Sequence, residues 1–129
     1  MNKSLLIGFI LLVLMGCEKD LIETQQLKGT WVESEFKSDT IVFGNMPEML
    51  TLNRGKELRD SFLLPIYHSG PYTYQIENDS INIRWGLSST LVNSKYYFEF
   101  DNKNDRIKIG NFFIDSLSSN KILVFYKAD

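Results

Sequence analysis

Tyr72-Thr73-Tyr74-Gln75-Ile76-Glu77-Asn78-Asp79-Ser80-Ile81-Asn82-Ile83-Arg84-Trp85 is the stretch whose reading decides the fold. Two runs alternate between apolar and polar residues, and Asn78-Asp79 between them is a tight turn by composition. A period of two puts successive side chains on opposite faces of a strand, so Ile81, Ile83 and Trp85 share the inward face and Asn82 and Arg84 the outward one. Two such runs around a two-residue turn form a β-hairpin.

The same pattern continues on both sides. After a Ser-rich loop over Gly86 to Ser94, Tyr96, Phe98 and Phe100 share a face opposite Tyr97, Glu99 and Asp101. Asn102 to Asp105 turns the chain into Arg106-Ile107-Lys108-Ile109, whose isoleucines face inward. Asp115 to Asn120 is a further polar turn, and Lys121 to Lys127 a last strand, apolar on both faces and therefore expected to be covered on both. Upstream, Met49 to Asn53 and Asp39 to Phe43 read as strands around the turn Gly44-Asn45-Met46-Pro47. The first strand spans Gly29 to Phe36, with Trp31, Glu33 and Glu35 on one face and Thr30, Val32 and Phe36 on the other. Lys56 to Gly70 breaks the pattern. Leu58, Phe62 and Leu63 lie at helical spacing and Pro65 would end such a helix, while a short strand with a long loop fits as well. It is expected to be an irregular excursion at one end of the sheet. The fold class is all-β: a single small antiparallel meander of about eight strands, which closes into a barrel and so removes its edges.

The N-terminus has a different logic. Lys3 precedes an apolar run from Leu5 to Met15, eleven residues, which is too short for a stable bilayer span and suits the apolar core of a signal peptide. The run ends in Leu14-Met15-Gly16-Cys17, which holds the chain's single cysteine. This stretch resembles the lipobox of bacterial lipoproteins. The resemblance implies removal of residues 1–16, lipidation of Cys17, and a permanent membrane anchor in the cell envelope, at the outer membrane. Residues 17–26 are then a tether. Its Glu18-Lys19-Asp20 is similar to the acidic clusters that send some lipoproteins of Bacteroidota to the cell surface. Without Lys3 the basic residues number 13 against 16 acidic, a net charge of −3, which gives no electrostatic case for nucleic acid. With Cys17 acylated there is no thiol for a disulfide, so the apolar core alone must hold the domain.

Gly29-Thr30-Trp31 opens the first strand. It is similar to the Gly-x-Trp of lipocalins, and residues 27–129 resemble the small lipocalin-like lipoproteins of Bacteroidota. The resemblance implies structural roles for Gly29 and Trp31 and a ligand held in the barrel. The chain departs from that pattern. It has no Thr-Asp-Tyr between later strands and no long helix after the barrel. No arginine lies near the end of the last strand to stack on the tryptophan, Lys127 being the nearest cation.

Chemistry is sparse. His68 is the single imidazole, no Gly-x-Ser-x-Gly occurs, and one histidine does not make a zinc site. Asp101 to Asp105 lacks the later ligands of a calcium loop. No catalytic residue, metal or cofactor is therefore expected. The aromatic face remains. Tyr72, Tyr74, Trp85, Tyr96, Phe98 and Phe100 should project into the barrel, where they either fill it or wall a pocket under the excursion. The candidate ligand-binding residues are Tyr67, His68, Tyr72, Tyr74, Trp85, Tyr96 and Phe98. Two functions compete: a binding module for a small apolar ligand, and an interaction or inhibitor protein with a filled barrel and an envelope protein as partner. A spacious cavity favours the first, and a filled barrel with an exposed aromatic patch the second.

Overall fold

The computed structural model describes residues 25–89, 93–113 and 121–128. The expected signal peptide, Cys17, most of the expected tether and the expected turn at Asp115–Asn120 lie outside the described residues. Among the described residues are ten strands: β1 (Gly29–Glu33), β2 (Thr40–Phe43), β3 (Met49–Asn53), β4 (Lys56–Arg59), β5 (Phe62–Pro65), β6 (Gly70–Glu77), β7 (Ser80–Trp85), β8 (Ser94–Asp101), β9 (Arg106–Gly110) and β10 (Ile122–Lys127). Eight of them form a closed antiparallel barrel in the order β1-β10-β9-β8-β7-β6-β3-β2, and β4 and β5 form a separate two-stranded sheet.

The deciding hairpin forms as its alternation requires. Tyr72 pairs with Trp85 and Glu77 with Ser80, so Asn78-Asp79 is the two-residue turn, with Asn78 at a φ of 34°. β1 and β10 close the barrel, with Trp31 opposite Lys127 and Glu33 opposite Phe125. Directly paired residues share a face, so the registers predict the core. Trp31, Ile41 and Leu52 form one inward row, Phe43, Leu50 and Tyr72 a second, and Phe98, Ile109 and Leu123 a third. All nine are buried, with Leu123 the most exposed at 7%. Trp31, Ile41, Ile81, Ile107, Ile109 and Phe125 have no exposed surface. The interior is filled by side chains, as an eight-stranded barrel permits.

The two ends of the barrel differ. At one, called here the tether end, Gln26 and Leu27 close the opening. The Leu27 carbonyl accepts the Trp31 Nε1–H at 2.7 Å, and the Gln26 carbonyl accepts the Lys127 ammonium at 3.1 Å. The Lys127 Nζ also lies 5.6 Å from the centre of the Trp31 ring. At the other, the hairpin end, Phe113 is 1% exposed, and the Arg54 guanidinium sits 5.1 Å over its ring.

Three expectations need correction. The Lys56–Gly70 excursion is mostly a hairpin rather than a helix or irregular loop. Lys56 pairs with Pro65 and Arg59 with Phe62 around Asp60-Ser61, whose φ values of 50° and 69° are those of a type I′ turn. The helical spacing of Leu58, Phe62 and Leu63 misled because neither face of this hairpin is covered, so no alternation was imposed. The first strand ends at Glu33 rather than Phe36. The Glu33 carboxylate accepts the N–H groups of Glu35 and Phe36 at 2.9 and 2.8 Å, which turns the chain and leaves Phe36 in solvent. The last strand is covered on one face only. Leu123 and Phe125 are buried, whereas Ile122 and Tyr126 are each 46% exposed.

Candidate functional site

The segment from Ile66 to Ser69 carries the chain from the hairpin back to the barrel and builds one wall of a pocket. The Ile66 N–H donates to the Gly55 carbonyl at 3.0 Å, closing the stem of the arm. Arg54 Nη1 donates to the Tyr67 carbonyl at 2.8 Å, and the Arg59 guanidinium lies 4.0 Å over the Tyr67 ring. These contacts bring His68, at a φ of 68°, against Trp85 with ring centres 5.1 Å apart.

The pocket is an open hollow of about 190 Å³ lined by His68, Tyr72, Ile83, Arg84, Trp85, Ser88, Ser94, Tyr96 and Phe112. Its walls are rings meeting edge to face. Tyr72 and Phe112 are 5.1 Å apart at 81°, and Tyr96 and Phe112 6.2 Å apart at 63°. This is the preferred aromatic geometry. Two of the polar tips are tied to the backbone. The Tyr72 hydroxyl donates to the His68 carbonyl at 2.6 Å, and Trp85 Nε1–H to the Ser69 carbonyl at 3.3 Å. Tyr72 is all but buried by these contacts, whereas the partly buried Trp85 presents ring surface to the pocket, and Arg84, Ser88, Ser94 and Tyr96 contribute its polar lining.

Of the seven residues expected to meet a ligand, the structure brings together His68, Tyr72, Trp85 and Tyr96. Tyr67 is outside, exposed against Arg59. Phe98 is 2% exposed within the packed core. Tyr74 points toward the tether end, packing edge-on against Phe43 at 5.3 Å. There burial, and secondly the charge of Glu48, raise its hydroxyl pKa above the ordinary value. Two open hollows of about 360 and about 500 Å³ adjoin Tyr74, sharing Pro47, Glu48 and Gln75. They are larger but contain one aromatic ring between them, whereas five aromatic side chains, counting the His68 imidazole, converge on the hairpin-end pocket. Phe112 was not identified from the sequence. It follows β9, where the alternation has ended and only the pair Phe112-Phe113 marks the position.

Beside this pocket the hairpin end carries two carboxylates with opposed environments. Burial acts to raise the Glu33 pKa, but the N–H groups of Phe36, Glu35 and Lys37, with the charge of Lys121, outweigh it and hold the group below its ordinary value. Asp39 is raised, first by burial and also by the Glu33 charge, although Arg54 Nε lies 3.7 Å away and acts to lower it. Glu33 is committed to holding the turn after β1. Among the described residues, no group of three or more His, Cys, Asp or Glu side chains is placed to hold a metal ion.

No known family, curated protein or solved structure matches this chain. The reading of function therefore rests on its own geometry.

Proposed function

We propose that this is a lipid-anchored interaction module of the cell envelope: a filled, lipocalin-like barrel, tethered through Cys17, that presents the β4–β5 hairpin to a protein partner. The observation that carries the reading is the hairpin itself. Leu58 and Leu63 pair on one face at 73% and 64% exposure, and Phe62 stands on the other at 67%. Large apolar side chains exposed together on both faces of a small sheet are costly in water and are characteristic of a surface that a partner covers. Their backbone is held rigidly by the Asp60-Ser61 turn and by the Arg54 and Gly55 contacts of the stem, which lowers the ordering cost of binding.

Position supports the same reading. The described chain begins at the tether end, and the hairpin leaves from the opposite end. Gln26 is held to the barrel by Lys127 and Asn102, so a tether from Cys17 would join the domain at the end opposite the arm. The lipocalin-like part is supported by Gly29-Thr30-Trp31 in β1 and by Lys127, which packs over Trp31 where the resemblance calls for an arginine. A carrier of fatty acids or sterols is the weaker alternative. The barrel interior is packed, the hairpin-end pocket of about 190 Å³ falls below the range of about 300–1,000 Å³ typical of drug-sized ligand sites, and the hollows of about 360 and 500 Å³ that reach that size carry a single aromatic ring, Tyr74.

The test is a photo-reactive residue placed at Phe62 in living cells of the source organism. A discrete cross-linked protein is expected, and it should disappear when Leu58 and Leu63 are both changed to Asp. Absence of any cross-link, or one indifferent to those changes, would refute the proposal.

A further inference from the structure

We propose that the hairpin-end pocket is a socket for one aromatic side chain, a phenol or an indole, projected by the protein partner. The inference rests on the reading of this end as the docking end and adds the chemistry of the partner. Size is the first argument. At about 190 Å³ the hollow falls below the roughly 300–1,000 Å³ of drug-sized ligand sites, which suits one ring-bearing side chain and not a lipid. Wall geometry is the second. Tyr72, Tyr96 and Phe112 already meet edge to face at 5.1 and 6.2 Å, so an inserted ring continues the same packing. Polarity is the third. The tip of Trp85 is taken by the backbone, leaving its ring surface for an apolar body, while the Ser94 and Tyr96 side chains can pair with a phenol O–H or an indole N–H. The one charged side chain in the lining is Arg84 and no acidic one is present, so nothing in it selects a cation. Location is the fourth. His68 lies one residue from Tyr67, which is stacked on Arg59 of the hairpin, so a partner lying along the arm passes over the mouth of the pocket. A buried aromatic anchor beside an apolar contact is the usual centre of a protein interface.

Full-length protein in lipid nanodiscs, with fluorotryptophan at Trp31 and Trp85, gives two fluorine resonances, assigned with Trp85→Phe. N-acetyltyrosinamide should shift the Trp85 signal saturably, with a dissociation constant on the order of 1 mM as expected for one ring, and leave Trp31 unmoved. N-acetylleucinamide and methyl glucoside should bind at least about tenfold more weakly. Ser94→Phe fills the socket with the protein's own ring. It should weaken the tyrosine probe by about tenfold and reduce the cross-link formed from Phe62. An unchanged Trp31 resonance checks that the barrel is intact, and Ser88→Leu at the rim serves if it is not. The socket is overturned if the tyrosine probe gives no saturable shift, or if leucinamide or glucoside binds equally well. If the probe binds but the Phe62 cross-link survives Ser94→Phe, the ring comes from a free small molecule and the docking role is wrong. A cross-link that depends on Leu58 and Leu63 while no probe binds leaves the hairpin function standing and removes the socket.

Discussion

Replacing Trp31 by Ala should come close to unfolding the domain. The side chain has no exposed surface. Truncating a fully buried large aromatic typically costs about 3–5 kcal/mol, because apolar burial is lost and a cavity remains. Two further contacts act in the same direction. The Nε1–H bond to Leu27 leaves a carbonyl unpaired when removed, at about 1 kcal/mol or more. Lys127 over the ring adds about 0.5–1 kcal/mol. A total of about 4.5–7 kcal/mol is a large part of the roughly 5–15 kcal/mol that stabilises a small domain. At about 4 °C or more per kcal/mol, it lowers Tm by at least about 15 °C. Trp31→Phe separates the contributions in part, since it keeps a six-membered ring but loses the N–H and the pyrrole half of the indole. It should cost about half as much as Ala, from the lost hydrogen bond and the smaller buried ring. Urea and thermal denaturation of residues 25–129, followed by circular dichroism, measure both. A loss below about 0.5 kcal/mol for the Ala variant, the usual surface value, would refute the placement of Trp31 at the centre of the core.

Cys17→Ser should abolish incorporation of labelled fatty acid and release the protein from the membrane, and persistent label would remove the anchor reading. Leu58→Asp with Leu63→Asp should change unfolding free energy by no more than about 0.5 kcal/mol, because both side chains are already in water, and a large loss would mean that the hairpin packs on the barrel. Glu33 has a folded pKa below its ordinary 4.5, so it contributes stability above that value and loses the contribution as pH falls through the folded value. Glu33→Gln should therefore flatten the acid limb of the stability profile, and an unchanged limb would show that the turn does not depend on the charge. Asp39 acts with the opposite sign. Its raised folded pKa means that ionisation costs stability as pH rises, so Asp39→Asn should remove a decline on that side in the same denaturation series.

Where burial enforces alternation, the sequence could be read directly. Ile81 and Ile83, Ile107 and Ile109, and the Tyr72–Trp85 hairpin lie as their spacing requires because one face of each strand is in the core and the other in water. The reading failed where that constraint is absent. Leu58, Leu63 and Leu64 belong to a sheet with no core side, and Ile122 and Tyr126 are apolar on an exposed face. Glu33 misled for another reason. An inward acidic residue is satisfied by the backbone of the next turn, and no periodicity in the side chains records that hydrogen bond. The pocket was half legible. Tyr72, Trp85 and Tyr96 followed from alternation, whereas Phe112 depends on how the chain leaves β9, which is set by Asn111, whose N–H reaches the Lys121 carbonyl across the loop.

The stem of the hairpin has a consequence for how this protein can change. The Ile66 N–H meets the Gly55 carbonyl, and Gly70 pairs with Leu52, so the chain returns to the barrel beside the place it left. The arm is therefore a detour within a connection between neighbouring strands. Lengthening, shortening or exchanging it alters no register of the barrel, and loop closure penalises added length only slowly. The barrel can stay fixed while the arm is rewritten, which makes the Lys56–Pro65 segment the natural place to graft a foreign recognition hairpin onto this barrel.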